Sequence, residues 1–136
     1  MENYVHKVKY FETDKMGITH HSNYVRWMES ARIDFLDKAG WNFARLESEG
    51  MVSPVLDIQC KYIHSTTFSD VVEVKVTVAE CSRVRIRFHY VMTNEEGEKV
   101  FEGYSSHCFI KENGRPVRLE KDLPGFVDDM KKYLES

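Results

Sequence analysis

The strongest constraint on this chain is a single change in the period of its apolar residues. Between Ser22 and Gly40 they recur at helical spacing: Val25, Met28, Leu36 and Ala39 follow one another, with Tyr24, Trp27, Ala31 and Phe35 alongside and Arg32 interrupting the face. From Leu56 onward the period is two. Leu56, Ile58, Cys60 and Tyr62 alternate with Asp57, Gln59 and Lys61, and Val72, Val74, Val76 and Val78 alternate with Glu73, Lys75 and Thr77. Val84, Ile86, Phe88, Tyr90 and Met92 alternate with Arg85, Arg87, His89 and Val91. The first pattern marks an amphipathic helix, the second strands with one buried face and one wet face. A helix this broadly apolar needs cover over much of its circumference. The expectation is an α+β fold: one antiparallel sheet with one long helix across its apolar face.

The rest of the chain fits around that pair. Val5 to Phe11 reads as a first strand and Glu12 to His21 as a loop. Ser22 or Asn23 is a suitable N-cap, and Gly40 suits the left-handed residue that ends a helix. Trp41 to Gly50 reads as a short helix or irregular crossing, Lys99 to Ile110 as a last strand, and Leu123 to Leu134 as a short C-terminal helix. The turns Thr93-Asn94-Glu95-Glu96-Gly97 and Glu112-Asn113-Gly114-Arg115-Pro116, with the tight link Cys81-Ser82-Arg83, are short enough to imply antiparallel neighbours. The chain, 136 residues long, is expected to form a single domain over 1–136.

Charge and composition exclude some classes. A formal net charge of −3 argues against a nucleic-acid binder, and no apolar run approaches the ~20 residues of a membrane span. Met1 to Lys7 lacks the apolar stretch of a secretory signal. Cys60, Cys81 and Cys108 are odd in number and widely separated, as expected of free thiols in a cytoplasmic protein. No metal is expected: His20 and His21 are adjacent, without a third ligand at metal spacing.

The chemistry concentrates at the loop ahead of the long helix. Asp14 lies three residues before Gly17, whose missing Cβ lets a ligand approach the backbone. The helix start at His21 to Asn23 offers N–H groups without intrahelical partners and a partial positive charge. Such donors suit an acyl-transfer oxyanion, and a carboxylate beside them can attack the carbonyl or activate water. The His21 backbone N–H is the expected donor, in preference to its imidazole. No Ser or Cys stands in a nucleophile-elbow motif. Glu29 and Arg32 are spaced to pair along the helix. Arg83, Arg85 and Arg87 alternate onto one outward face, either a solvated surface or a phosphate-binding patch.

These residues carry a family resemblance. Thr13-Asp14-Lys15-Met16-Gly17-Ile18, then His21-Ser22-Asn23-Tyr24, then Glu29 and Arg32, resemble the 4-hydroxybenzoyl-CoA thioesterase family of the hotdog fold, nearest its bacterial acyl-CoA thioesterase branch with Tol-Pal-associated members. The similarity continues through Ser53-Pro54-Val55-Leu56-Asp57-Ile58 and Phe68-Ser69-Asp70 into Ser82-Arg83-Val84. It implies a sheet wrapped around the long helix, homodimers often paired into homotetramers, and an acyl-thioester bound at the subunit interface. It implies an acyl-CoA substrate, coenzyme A being part of that substrate and no separate cofactor being needed. Asp14 then corresponds to the catalytic carboxylate, as nucleophile or general base, and His21 to the residue whose backbone N–H polarises the carbonyl. Gly17 and Tyr24 complete the catalytic motif, while Arg83, Ser82 and Glu29 are the substrate-binding candidates. Ser82 and Val84 stand where the aromatic-acyl enzyme has basic residues, a departure that counts against both the phosphate role and 4-hydroxybenzoyl-CoA; the expected substrate is a fatty or small acyl-CoA. The competing readings are a hotdog hydratase or dehydratase acting on acyl thioesters, and a non-catalytic acyl-thioester-binding module.

Overall fold

The structure, a computed structural model, describes residues 1–135. Seven strands and four helices follow one another: β1 Tyr4–Lys7, α1 Ser22–Lys38, α2 Phe43–Ser48, β2 Met51–Val52, β3 Val55–Tyr62, β4 Val71–Cys81, β5 Arg85–Thr93, β6 Lys99–Cys108, β7 Ile110–Lys111, α3 Leu119–Asp122 and α4 Pro124–Lys131. Five strands form one antiparallel sheet in the order β1-β4-β5-β6-β3, and β2 pairs with β7 in a small second sheet. The long helix α1 packs against β4 and β1. It buries Trp27, Met28, Ala31, Phe35 and Leu36 toward Ile86, Phe88, Tyr90 and Met92 of β5 and Phe101 of β6. The helix-on-sheet arrangement expected from the two periods is therefore present.

Several local expectations are corrected. The first strand ends at Lys7; the chain then enters a 3-10 turn at Tyr10–Glu12 that leaves Tyr10 and Phe11 exposed and turns Glu12 inward. The reason is polar: the buried Glu12 carboxylate accepts the Lys9 backbone N–H at 2.8 Å, closing the turn. Neither Ser22 nor Asn23 caps α1; His21 holds the cap position, already in helical geometry. The His20 imidazole does the capping, its Nδ1 accepting the Ser22 backbone N–H at 3.3 Å. The last strand stops at Cys108, and β7 turns away to meet β2. The expected C-terminal helix is present as α4, opened by Pro124 and ending at Lys131, and a further short helix, α3, precedes it across a break at Leu123.

Strand β3 departs furthest from its pattern. Its alternation predicts one buried face, yet Val55, Leu56, Ile58 and Tyr62 are each at least 40% exposed within the single chain. β3 is the outermost strand, and α1 lies over the opposite half of the sheet. Ile58, Cys60 and Tyr62 share the face of Ser105, Gly103 and Phe101, where Tyr62 meets Tyr24 of α1 at 5.5 Å, and Val55 and Leu56 sit at a register shift; among the described residues most of this apolar edge is left open.

Candidate active site

The loop between the 3-10 turn and α1 is a tightly bonded hairpin. Thr13 and Thr19 form a β-bridge, the Asp14 N–H donates to the Ile18 carbonyl at 2.8 Å, and the Gly17 N–H donates to the Asp14 carbonyl at 3.0 Å. Asp14 Oδ1 accepts the Met16 N–H at 2.8 Å, the local bond for which Asp is favoured in turns. Its Oδ2 has no partner among the described residues, and the side chain is half-buried. Gly17 sits at φ +82° with open space where a Cβ would stand, and its carbonyl accepts the Thr67 hydroxyl at 2.7 Å. The glycine serves the turn by its left-handed backbone.

At the helix start, each amide beside His21 is engaged. His20 donates to the Glu12 carbonyl at 2.8 Å, Ser22 to the His20 ring, Asn23 to the His20 carbonyl at 3.0 Å, and Tyr24 to the His21 carbonyl at 3.3 Å. The His21 N–H alone in this run has no acceptor among the described residues. It lies at the N-terminus of a 17-residue helix, where the helix dipole favours a developing negative charge. The exposed His21 imidazole stacks on His20 with ring centroids 4.4 Å apart.

An open cleft of about 210 Å³ adjoins this amide, lined by Ile18, Thr19, His21, Tyr24, Tyr62, Ile63, His64 and Ser65. Asp14 and Gly17 are not part of its wall. Tyr24 is, but as a shaping group: it is buried, its ring lies parallel to Phe101 at 5.2 Å, and its hydroxyl meets Thr66 Oγ1 at 2.9 Å. Burial pushes the Tyr24 phenol above its ordinary value, which keeps it neutral. The Thr66 hydroxyl also meets Thr19 Oγ1 at 2.6 Å, so one polar knot ties α1 to the hairpin.

The candidates for substrate binding fall elsewhere. Glu29 is exposed and does not pair with Arg32, contrary to the spacing argument. Arg32 instead reaches the sheet and donates to the Tyr90 hydroxyl at 3.2 Å. The chain continues from Tyr90 to Ser105 at 2.6 Å and from Ser105 to Nε2 of His107 at 2.7 Å. Arg32 can only donate, so the Tyr90 hydroxyl oxygen accepts from it. Burial, reinforced by the Arg32 charge, drops the His107 pKa from 6.5 to about 3, so its imidazole is neutral. Neither this chain nor the burial of Glu12 is visible in the sequence, because neither follows from a period.

Ser82 and Arg83 form the β4–β5 turn, where the Ser82 N–H and hydroxyl both donate to the Arg85 carbonyl. The Arg83 side chain is exposed, at the end of the sheet where Val55 pairs with His107. The cleft is at the other end, where Tyr62 pairs with Phe101. Seven residues of strand, about 23 Å, separate those pairings, so one chain does not bring Arg83 and His21 onto the same small ligand. Arg85 and Arg87 carry acidic neighbours of their own, Glu80 at 3.5 Å and Asp57 at 3.2 Å. They read as a solvated sheet face.

Residues 8–131 match the family model of the thioesterase-like superfamily. The chain belongs to that superfamily. Its architecture is the hotdog fold, and as a member of the superfamily it is a thioester hydrolase. It is 32% identical over 119 residues to the Bacillus subtilis protein named "Putative acyl-CoA thioesterase YneP", covering 87% of this chain and 86% of that one. A DHNA-CoA thioesterase of Staphylococcus aureus superposes with a TM-score of 0.89 at 36% identity, over 96% of this chain and 89% of that chain. The Synechocystis 1,4-dihydroxy-2-naphthoyl-CoA thioesterase superposes at 0.83 with 16% identity, over 96% and 97% of the two chains, a likeness of fold alone.

Proposed function

We propose that this protein hydrolyses an acyl-CoA thioester to the free acid and coenzyme A, with Asp14 as nucleophile or general base. The observation that carries the reading is the His21 amide at the start of α1, without an acceptor among the described residues, seven positions after a carboxylate whose Oδ2 likewise has no partner among them. The thioester carbonyl oxygen accepts the His21 N–H, which takes up negative charge as the carbon becomes tetrahedral. Asp14 attacks that carbon, giving an anhydride that water opens at its acyl carbon, or removes a proton from the attacking water. Either way the C–S bond breaks, the sulfur leaves as the CoA thiolate and is protonated from solvent, and water's oxygen ends in the acid. Coenzyme A enters as part of the substrate and no separate cofactor takes part.

Within the superfamily we assign the chain to the 4-hydroxybenzoyl-CoA thioesterase family and its bacterial acyl-CoA branch with Tol-Pal-associated members, on the Asp14–Gly17 and His21–Tyr24 motifs. The working form is a homodimer, paired into a homotetramer, in the cytoplasm. The uncovered apolar edge of β3 supports the dimer, since such an edge needs a partner. Two copies pairing antiparallel along β3 would bring the Val55 end of one to the Tyr62 end of the other. The partner's Arg83 would then stand near the cleft that its own chain cannot reach, available to the CoA phosphates.

Asp14→Asn tests the chemistry. An asparagine Oδ1 still accepts the Met16 N–H, so the turn is kept while the base is lost. Turnover of an acyl-CoA panel should fall by about 10²- to 10⁴-fold, and near-wild-type turnover would overturn the mechanism.

A further inference from the structure

We infer that Glu12 is a positioning residue for this reaction: it sets the place of the His21 amide and of the Asp14 hairpin without touching substrate. The inference rests on the thioesterase reading above and extends it to a buried side chain that the mechanism does not use.

Glu12 is 5% exposed, and both its oxygens are engaged. Oε1 lies 2.7 Å from His6 Nε2 and accepts the Lys9 N–H at 2.8 Å; Oε2 accepts the Trp27 indole N–H at 2.8 Å. These contacts come from β1, from the approach to the 3-10 turn and from the buried face of α1. A single carboxylate thus fastens the loop to the strand before it and to the helix after it. Although burial acts to raise its pKa, the hydrogen bonds from His6, Lys9 and Trp27 hold Glu12 below the ordinary carboxylate value. An ionised carboxylate is acceptor-only on both oxygens, which suits these donors.

The backbone of the same residue does the positioning. The Glu12 carbonyl accepts the His20 N–H at 2.8 Å and the Asn23 side-chain N–H at 2.8 Å. Those residues flank the His21 amide, so its direction is set by a carbonyl whose own place is set by the Glu12 side chain. On the other side Asp14 is two residues away, with the Thr13–Thr19 bridge between them. One anchored residue therefore references the oxyanion donor and the carboxylate to each other. Reacting groups displaced by ~1 Å lose on the order of 10²-fold in rate, so a loosened anchor should appear in kcat. Glutamine cannot replace it, because it offers one acceptor oxygen and turns an NH₂ toward one set of donors.

The experiment compares the full-length wild type, Glu12→Gln, His6→Ala, Asp14→Asn and the Glu12→Gln/Asp14→Asn double variant well below their melting temperatures, with an acyl-CoA and a thiol-reactive dye. Glu12→Gln should lower kcat by about 10- to 100-fold with KM within about twofold. His6→Ala, which removes one partner and spares Glu12, should give a smaller fall of the same kind and serves if Glu12→Gln does not fold. In the Asp14→Asn background the Glu12→Gln loss should shrink, since residues that act through one another are not additive. Hydrogen exchange adds a readout independent of turnover: the His20 amide should lose protection in Glu12→Gln while mid-helix amides of α1 keep theirs. Unchanged kcat, an equal loss in the Asp14→Asn background, or an unaltered His20 amide would each overturn the inference. A wild type without thioesterase activity would instead overturn the reading it rests on, with the exchange result still testing the tether.

Discussion

Gly103 is where one methyl group should travel furthest through this fold. It lies in β6, opposite Cys60 of β3 and Tyr90 of β5. A Cβ there would stand 2.6 Å from the Gln59 backbone carbonyl and 2.9 Å from the Phe101 ring. Ordinary contact begins near 3.4 Å, so β3 or β6 would have to yield by about 0.8 Å, and backbone yields less readily than a side-chain tip. Overpacking of this kind costs about 1–3 kcal/mol. For a chain of this length a midpoint loss of about 2 kcal/mol corresponds to a Tm lower by roughly 7 °C. The functional effect comes through Phe101, which stacks on Tyr24 and meets Tyr62 edge-on at 5.5 Å, both residues of the cleft wall. Calorimetry at matched protein concentration, with kcat and KM on one acyl-CoA, reads both effects. Gly125→Ala is the control: its Cβ would meet nothing closer than Trp41 at 3.5 Å, inside helix α4, so it should be neutral or stabilise by up to about 1 kcal/mol. If Gly103→Ala melts within a degree of wild type with unchanged kinetics, the tight β3–β6 approach and its link to the cleft are wrong.

Two further outcomes follow from the structure. His107 is neutral when folded, its pKa lowered to about 3, and protonates near 6.5 when unfolded. The unfolded chain thus binds the extra proton between those values, so this residue's contribution is complete above pH 6.5 and is lost as pH falls toward 3, by at most about 1.4 kcal/mol per pH unit. In urea titrations His107→Gln should flatten the stability slope below pH 6.5, and an unchanged slope would refute a neutral buried imidazole. Ile58→Glu places a charge on the uncovered face of β3 and should yield monomers in sedimentation velocity, with thioesterase activity lost. An unchanged assembly would remove β3 as the shared edge.

The period change at residues 22–40 and 56–92 made the helix and its sheet legible, because burial of one face leaves a repeat in the sequence. The Asp14–Gly17 turn and the free amide at the helix start were legible for a similar reason: local turn and helix-end chemistry depends on residues a few positions apart. Glu12 was not legible. It follows two aromatic residues, Tyr10 and Phe11, that the fold leaves in solvent, and its partners His6 and Trp27 meet it only across the packed layers. The spacing of Glu29 and Arg32 misled, because Arg32 is drawn to Tyr90 on the sheet while Glu29 faces water.

By itself, then, the sequence determined the helix, the strands, the turn that carries Asp14 and the amide at the start of the helix. Tertiary structure alone decided that β3 would be left uncovered, that Arg83 and His21 would lie at opposite ends of one sheet, and that a buried carboxylate would hold the loop. The division has one physical cause. Secondary structure is set by interactions over a few residues, whereas the placement of a layer, and the pairing of polar groups across it, depends on which elements the whole chain can spare to cover which faces.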